Sequence, residues 1–254
     1  MTEQHKLSVT IIAGNAEGEI RDCLESVKWA DEIIVVDSMS RDKTAEIARE
    51  YTHQVFLREW EGYAAQKQFS LGQAKNEWVF SLDSDERVSE TLRDEIEGVL
   101  RNGTTLDGYY IPRRNFFLGR WIRRCGWYPG YQLRLFRKGK AKLNERKIHE
   151  AFIVEGSVGY LTGDIIHHTH TTIESTLVKI NEYSTLRAQE KVNKRRVKAF
   201  ELIFRPLAAF LQFYLLKQGF REGPHGLMVS IIHAMTCAQT YMKIWEMQNV
   251  PRPS

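Results

Sequence analysis

The apolar positions fall into short runs separated by stretches of helical period. Leu7-Ser8-Val9-Thr10-Ile11-Ile12-Ala13 reads as a first strand rich in β-branched residues, and Gly14-Asn15-Ala16-Glu17-Gly18 is the turn after it. Ile20, Cys23, Leu24 and Val27 then recur at helical spacing. A second strand over 31–37 ends on Asp37; 38–42 turns, 44–51 is a helix and 53–57 a short third strand. A helix over 63–74 leads to the apolar run Trp78-Val79-Phe80-Ser81-Leu82, which stops at Asp83-Ser84-Asp85-Glu86 before a helix over 90–100. Strand and helix alternating at this rhythm predict an α/β fold, a mostly parallel sheet with helices on both faces. In such sheets ligands bind outside the carboxyl ends of the strands, where the acidic stretch lies.

After residue 108 the pattern changes. Tyr109-Tyr110-Ile111-Pro112 reads as an extended edge, and 113–124 mixes five arginines with Phe116, Phe117 and Trp121. From Arg113 to Lys147 the only acid is Glu145, which points to a polyanionic partner such as a nucleotide diphosphate, nucleic acid or an anionic membrane surface. A helix is predicted over 173–192, continued by a basic run over 191–198. Beyond it Phe204, Arg205, Phe210, Phe213, Tyr214, Lys217, Phe220 and Arg221 alternate aromatic and basic character, and the 219–226 segment with Pro224 breaks this region into a helical hairpin. Such a hairpin either packs on the preceding domain or lies on a membrane by apolar burial plus basic attraction. The expected division is 1–172, itself made of halves 1–105 and 106–172, followed by a helical extension over 173–254.

Composition narrows this little. With 254 residues and 43% hydrophobic content the chain can fill one sizeable core, and its net charge of +4 names no partner. Cys23, Cys125 and Cys237 are far apart and odd in number, so they give neither a disulfide framework nor zinc spacing. The polar start leads straight into a strand, and no apolar window reaches the length of a membrane span. A cytoplasmic protein, peripheral on the inner face of the membrane, is the expectation.

The candidate chemistry sits at strand ends. Asp83 and Asp85 flank one small residue, so two carboxylates can converge on one point, an arrangement that repels itself unless a cation lies between them. The competing reading is a solvated turn capping the next helix. Ile166-His167-His168-Thr169-His170 brings three histidines together; His167 is a possible metal ligand, and the alternation also suits a strand with one face inward.

These elements in this order resemble the family-2 glycosyltransferases with their GT-A fold. The motifs Trp29-Ala30-Asp31-Glu32-Ile33, Asp83-Ser84-Asp85-Glu86-Arg87 and Arg113-Arg114-Asn115-Phe116-Phe117-Leu118-Gly119-Arg120 are most similar to the lipopolysaccharide-core β-1,4-glucosyltransferase subgroup. So are Gly126-Trp127-Tyr128-Pro129, Arg134-Leu135-Phe136 and Ile148-His149-Glu150, which carry the match to about residue 190. The resemblance implies inverting transfer of a hexose, glucose above all, from a UDP-sugar to a lipid-linked or lipopolysaccharide-core saccharide, with Mg²⁺ or Mn²⁺ as cofactor. It implies that Asp37 meets the uracil ring, that Asn15 and Glu17 line the nucleotide pocket, and that Lys67 touches base or diphosphate. Asp83 would lie near ribose or sugar and Asp85 on the metal. Glu150, or failing it Asp164, would be the base that deprotonates the acceptor. Arg134 with Gln132 would hold phosphate or acceptor, unless Arg134 braces a loop. Trp127 and Tyr128 would stack on a sugar, unless they are core. A nucleotidyltransferase on a similar sheet and an Arg-rich RNA-binding module stay open; the acidic, base-free 14–18 turn disfavours the first, and no nucleic-acid partner is expected.

Overall fold

The structure is a computed structural model that describes residues 5–144, 152–194 and 196–251. The chain divides into two compact units, Met1–Arg114 with Gly130–His167, and Asn115–Pro129 with His168–Ser254. In chain order the first unit holds Leu7–Ala13 (β1), Ile20–Val27 (α1), Glu32–Asp37 (β2), Thr44–Arg49 (α2), Val55–Leu57 (β3), Tyr63–Gln73 (α3), Trp78–Asp83 (β4), Glu86–Val88 (β5), Glu90–Asn102 (α4) and Gly108–Ile111 (β6). After Arg113–Phe117 (β7) and Arg120–Trp121 (β8) it resumes with Gln132–Arg137 (β9), Ala141–Leu143 (β10), Phe152–Val154 (β11), Val158–Tyr160 (β12) and the opening of Ile165–His170 (β13).

A seven-stranded sheet in the order β12-β6-β9-β4-β1-β2-β3 forms its centre. β4, β1, β2 and β3 run parallel, and β9 is antiparallel to both β4 and β6. The alternation of side chains along β1 explains why helices cover both faces. Leu7, Val9, Ile11 and Ala13 join one core with Ile20 and Leu24 of α1 and Leu92 and Ile96 of α4. Ile12 enters a second core with Ile34, Val36 and Val79, beneath Leu71 of α3. The 109–112 segment is not the edge that its composition suggested: β6 lies between β12 and β9, and Pro112, with no N–H to give a ladder, falls just outside the strand.

Register fixes where the acids stand. Ala13 pairs with Asp37 and Ile12 with Asp83, so both acids end strands that flank β1 at one carboxyl edge, two strand spacings or roughly 10 Å apart. β13 is aligned beside them. It pairs antiparallel with β5, His167 opposite Glu86 and Ile165 opposite Val88. The loop before it is clamped to α4: Glu95 accepts from the amides of Thr162 (2.9 Å) and Gly163 (3.0 Å), and the Asp164 amide donates to Ser89, the N-cap of α4, at 3.2 Å.

In the second unit Ile173–Lys191 (α5), Glu201–Leu211 (α6) and Gly223–Asn249 (α7) pack together. Phe117, Ile122, Cys125 and Val229 form one buried cluster, and Ala188, Val197 and Ile244 another. One expectation shifts here. The first long helix ends at Lys191 instead of running on through the basic segment. The expected break over 219–226 falls between α6 and α7, and Pro224 opens α7 at a position where its missing N–H has no intrahelical partner to lose.

Gly163 approaches α4 closely enough that a Cβ would lie 2.4 Å from the backbone of Leu92, whereas one on Gly98 of the same helix would meet nothing within 4 Å. Gly163→Ala is therefore expected to lower the melting temperature by several degrees. Gly98→Ala, which replaces a poor helix former, should leave the melting temperature unchanged or raise it, with a gain in stability of up to about 1 kcal/mol. Thermal denaturation of the two variants side by side checks this.

Candidate active site

The carboxyl edge of β4 carries a buried cluster of charges. The Arg134 guanidinium comes from β9, which runs back alongside β4, and its Nη2 donates to Asp83 Oδ2 at 2.7 Å and to Glu86 Oε1 at 2.8 Å. Lys67, on the inner face of α3, places Nζ 2.9 Å from Asp83 Oδ1. Arg113 reaches Glu86 Oε1 at 3.4 Å, and the Asp83 amide donates to Glu86 Oε2 at 3.0 Å. Glu86 is wholly buried and Arg134 only 5% exposed, so solvent screens this cluster poorly. Burial by itself would raise the Asp83 carboxyl, but Arg134 and Lys67 outweigh it and hold it well below the usual carboxylate range. Burial would likewise weaken the Arg134 charge; Asp83 and Glu86 more than offset that and drive its proton affinity up.

Asp85, two residues on, has a different neighbour. Its Oδ2 lies 3.2 Å from His167 Nε2, delivered by β13, and the two side chains are 20% and 10% exposed. One carboxylate oxygen and one imidazole nitrogen at this spacing make a donor pair suited to a divalent cation. Adjacent ligands of an octahedral ion at about 2.1 Å lie about 3 Å apart. Among the described residues no three His, Cys, Asp or Glu side chains are grouped to hold an ion unaided. Phosphate oxygens of a bound nucleotide would have to complete the shell, the usual way in which Mg²⁺ is held at such sites.

The loops after β1 and β2 are laced together. Asn15 stands at φ +48°, a left-handed turn that Asn tolerates; its amide donates to Ser40 Oγ at 2.8 Å and its Oδ1 accepts from the Arg41 amide at 2.9 Å. Glu17 Oε2 accepts from the Lys43 amide at 3.1 Å. Asp37 is fully buried and accepts from the Ser40 amide (2.8 Å) and hydroxyl (2.6 Å), one bond to each oxygen, so each keeps acceptor capacity.

The first unit thus brings Asn15, Glu17, Asp37, Lys67, Asp83, Asp85, Arg134 and His167 to one edge. Gln132 lies on β9 opposite Ile111. Asp164 sits at the far end of the β5–β13 pair, three residues or about 10 Å along the strand from His167, and its carboxylate is ion-paired with Arg114. Glu150 lies outside the described residues. Trp127 and Tyr128 belong to the second unit, where the Trp127 indole donates to His233 Nε2 at 3.0 Å and packs edge-on against Phe117, and Tyr128 meets Trp121 edge-on.

Two residues escaped the sequence reading. Glu86 stood in view as the last of the acids after β4, but nothing local marks it as the partner of two arginines 27 and 48 positions away. Gln66 is fully buried and donates to the carbonyls of Glu59 (2.9 Å) and Arg58 (3.3 Å), bracing the loop before α3. Its signal was a polar stripe, Gln66, Lys67 and Ser70, on the face that α3 buries. The basic middle also reads differently in three dimensions. Arg113, Arg114, Arg134, Arg137 and Lys142 pair with Glu86, Asp164, Asp83, Glu77 and Glu155, so acids from elsewhere in the chain neutralise much of the local excess that had pointed to a polyanion.

Comparison with known proteins agrees with this geometry. The family described as Glycosyl transferase family 2 matches residues 8–165. The chain is 33% identical to the lipopolysaccharide core biosynthesis glycosyltransferase LpsC of Rhizobium meliloti, over 94% of this chain and 92% of that protein. It is 31% identical to an uncharacterized glycosyltransferase of Rickettsia prowazekii, over 90% of this chain and 83% of the other. Among solved structures, S. aureus TarS in complex with UDP-GlcNAc superposes with a TM-score of 0.50 at 17% identity, covering 96% of this chain and 90% of that one. The mannosyltransferase PcManGT of Pyrobaculum calidifontis, in complex with GDP-Man and Mn²⁺, gives 0.50 at 16% identity, covering 98% and 88%. At those identities the structures share the GT-A fold with this chain and nothing finer. Sheet order, strand-end acids and the extent of the sequence match converge: this chain is a glycosyltransferase and belongs to glycosyl transferase family 2.

Proposed function

We propose that the protein transfers a hexose, glucose by preference, from a UDP-sugar to a lipopolysaccharide-core or other membrane-linked saccharide with inversion at the anomeric carbon. The observation that carries this reading is the Asp85–His167 pair standing on the same sheet edge as Asp37, so that a base-binding acid and a metal-binding pair face one ligand. Asp37, each of whose carboxylate oxygens keeps acceptor capacity, accepts from the ring N–H of uracil, and Asn15 and Glu17 border that pocket. Asp83 orients the ribose or sugar, and Lys67 and Arg134, which hold Asp83, contribute positive potential toward the diphosphate. Asp85 and His167 hold Mg²⁺ or Mn²⁺, which when bound offsets the charge that develops on the departing diphosphate. In the transfer itself Glu150 takes the proton of the acceptor hydroxyl. That oxygen attacks the anomeric carbon as the carbon–oxygen bond to the diphosphate breaks, and UDP leaves. Asp164, engaged by Arg114 and set apart from Asp85, is the less suited acid. Gln132 is assigned to the acceptor. The similarity to LpsC supports a lipopolysaccharide-type acceptor. TarS and PcManGT show that the fold accommodates both uridine and guanosine donors.

Release of the nucleoside diphosphate, UDP or GDP, from a panel of UDP- and GDP-sugars, with and without EDTA, tests the donor and the metal together. UDP-glucose is expected to be turned over and EDTA to abolish turnover. Asp85→Ala should lower kcat by at least about 100-fold, and His167→Ala should raise the metal concentration needed by about tenfold or more. Turnover of GDP-sugars alone would overturn the uridine assignment.

The base assignment separates by kinetics and stability. Glu150→Gln is expected to lower kcat by about 100-fold or more with donor KM unchanged, whereas Asp164→Asn should lower the melting temperature and spare kcat. The opposite pattern would move the base to Asp164.

The charge cluster predicts a pH dependence of folding. Asp83 has a depressed carboxyl in the folded state, so its stabilisation is fully present above the unfolded value of about 3.9 and is lost as pH falls through the lower folded value. Arg134→Met removes the cation that depresses it most, so the acid unfolding midpoint should move to higher pH, followed by circular dichroism across an acid titration.

A further inference from the structure

The exposed surface of the second unit is strongly apolar along one helix. Phe200, Ile203, Phe204, Leu207 and Leu211 are all more than 40% exposed, Ile203 reaching 68%, and at 100° per residue they share a stripe about 100° wide on α6. Leu215, Leu216 (80% exposed) and Phe220 continue it past the helix end. Beside the stripe, Arg196, Lys198, Phe200, Glu201, Phe204 and Arg205 line a depression of about 590 Å³, three cations against two aromatic rings.

The charge balance of this face is one-sided for a structural reason. Residues 191–222 carry eight lysines and arginines and two acids, Glu201 and Glu222. Both acids are turned inward. Glu201 is 6% exposed and accepts from the Lys198 amide (3.1 Å) and Arg205 Nε (3.3 Å). Glu222 is 5% exposed and accepts from the amides of Arg123 (3.1 Å) and Arg124 (3.0 Å). What remains outside is apolar in the centre and cationic at the rim.

We infer that this face of α6 seats the protein on an anionic lipid bilayer, with the Phe200–Leu216 stripe buried among acyl chains and the Arg196–Lys198–Arg205 depression holding lipid phosphate. Three observations select this occupant. At eleven residues α6 is about 16 Å long, half of a membrane span, and among the described residues no helix is long and apolar enough to cross a membrane, so it lies along the interface. Aromatic and aliphatic side chains bordered by arginine and lysine match the layered chemistry of an anionic leaflet. A second copy of the chain, placed on the same patch by a two-fold axis, would set one cationic rim against another. The inference deepens the membrane-linked acceptor of the proposed function and rests on that reading for its purpose.

Vesicle flotation of the purified full chain tests it. The protein is expected to float with phosphatidylcholine–phosphatidylglycerol vesicles and not with phosphatidylcholine alone. Ile203→Glu/Leu207→Glu and Arg196→Glu/Lys198→Glu should each weaken binding at least about tenfold, with melting temperature unchanged because all four side chains are exposed. Millimolar inorganic phosphate should leave binding intact. No flotation by the wild type, equal flotation of the variants, or full displacement by free phosphate would overturn the inference, and so would a wild-type dimer that Ile203→Glu/Leu207→Glu dissociates. Hydrolysis of UDP-sugar measured on the same samples separates the two readings. Turnover without flotation sinks the lipid face alone, and flotation without turnover sinks the donor assignment alone.

Discussion

Everything at the carboxyl edge of the sheet depends on burying Glu86 and half-burying Asp83 next to Arg134. Taking a carboxylate and a guanidinium out of water costs several kcal/mol per ion, and their attraction repays it only when each group is bonded on all sides. Here separate parts of the chain go most of the way to that condition: β9 supplies Arg134, α3 supplies Lys67, the start of β7 supplies Arg113, and the Asp83 amide closes the ring on Glu86, while Arg134 Nε keeps no hydrogen-bond partner among the described residues. Loss of Arg134 removes the one cation that the two carboxylates share. The cluster therefore acts as a constraint on geometry more than as a source of net stability, and it fixes the loop between β4 and β5 from beneath.

That constraint divides two acids which look alike on paper. Asp83 and Asp85 are separated by one serine, yet Asp83 is clamped between Arg134 and Lys67 while Asp85 stands beside the His167 imidazole. An acid already neutralised by two cations offers little to a metal ion. An acid beside an imidazole nitrogen offers a carboxylate oxygen and a nitrogen to the same ion. The split of roles proposed for the pair thus follows from the surroundings of each carboxylate.

The second unit shows the same logic with opposite outcome. Its two acids between 191 and 222 are drawn inside by backbone amides and a neighbouring arginine, and the cations are left facing out. In the first unit Arg113, Arg114, Arg134 and Arg137 of the middle segment are paired with acids from elsewhere in the chain. A run of like charge in a sequence therefore has no fixed meaning for the surface: the partners that decide it lie at distances in the chain that no local window covers.

The alternation of strands and helices, the closing of strands on Asp37 and Asp83, and the order of motifs were legible in the amino acids alone. Each depends on periodicity or on residue types at the end of an apolar run, and these are local properties. The interior position of β6, the shared register that sets Asp37 and Asp83 on either side of β1, and the arrival of His167 beside Asp85 were not. They follow from strand order and from a pairing between segments about 80 residues apart. Glu86 illustrates the boundary best. As a residue it is one more acid in a polar turn; only when β9 folds back antiparallel to β4 does Arg134 reach it, and the free energy that makes it buried rather than solvated comes from that long-range contact.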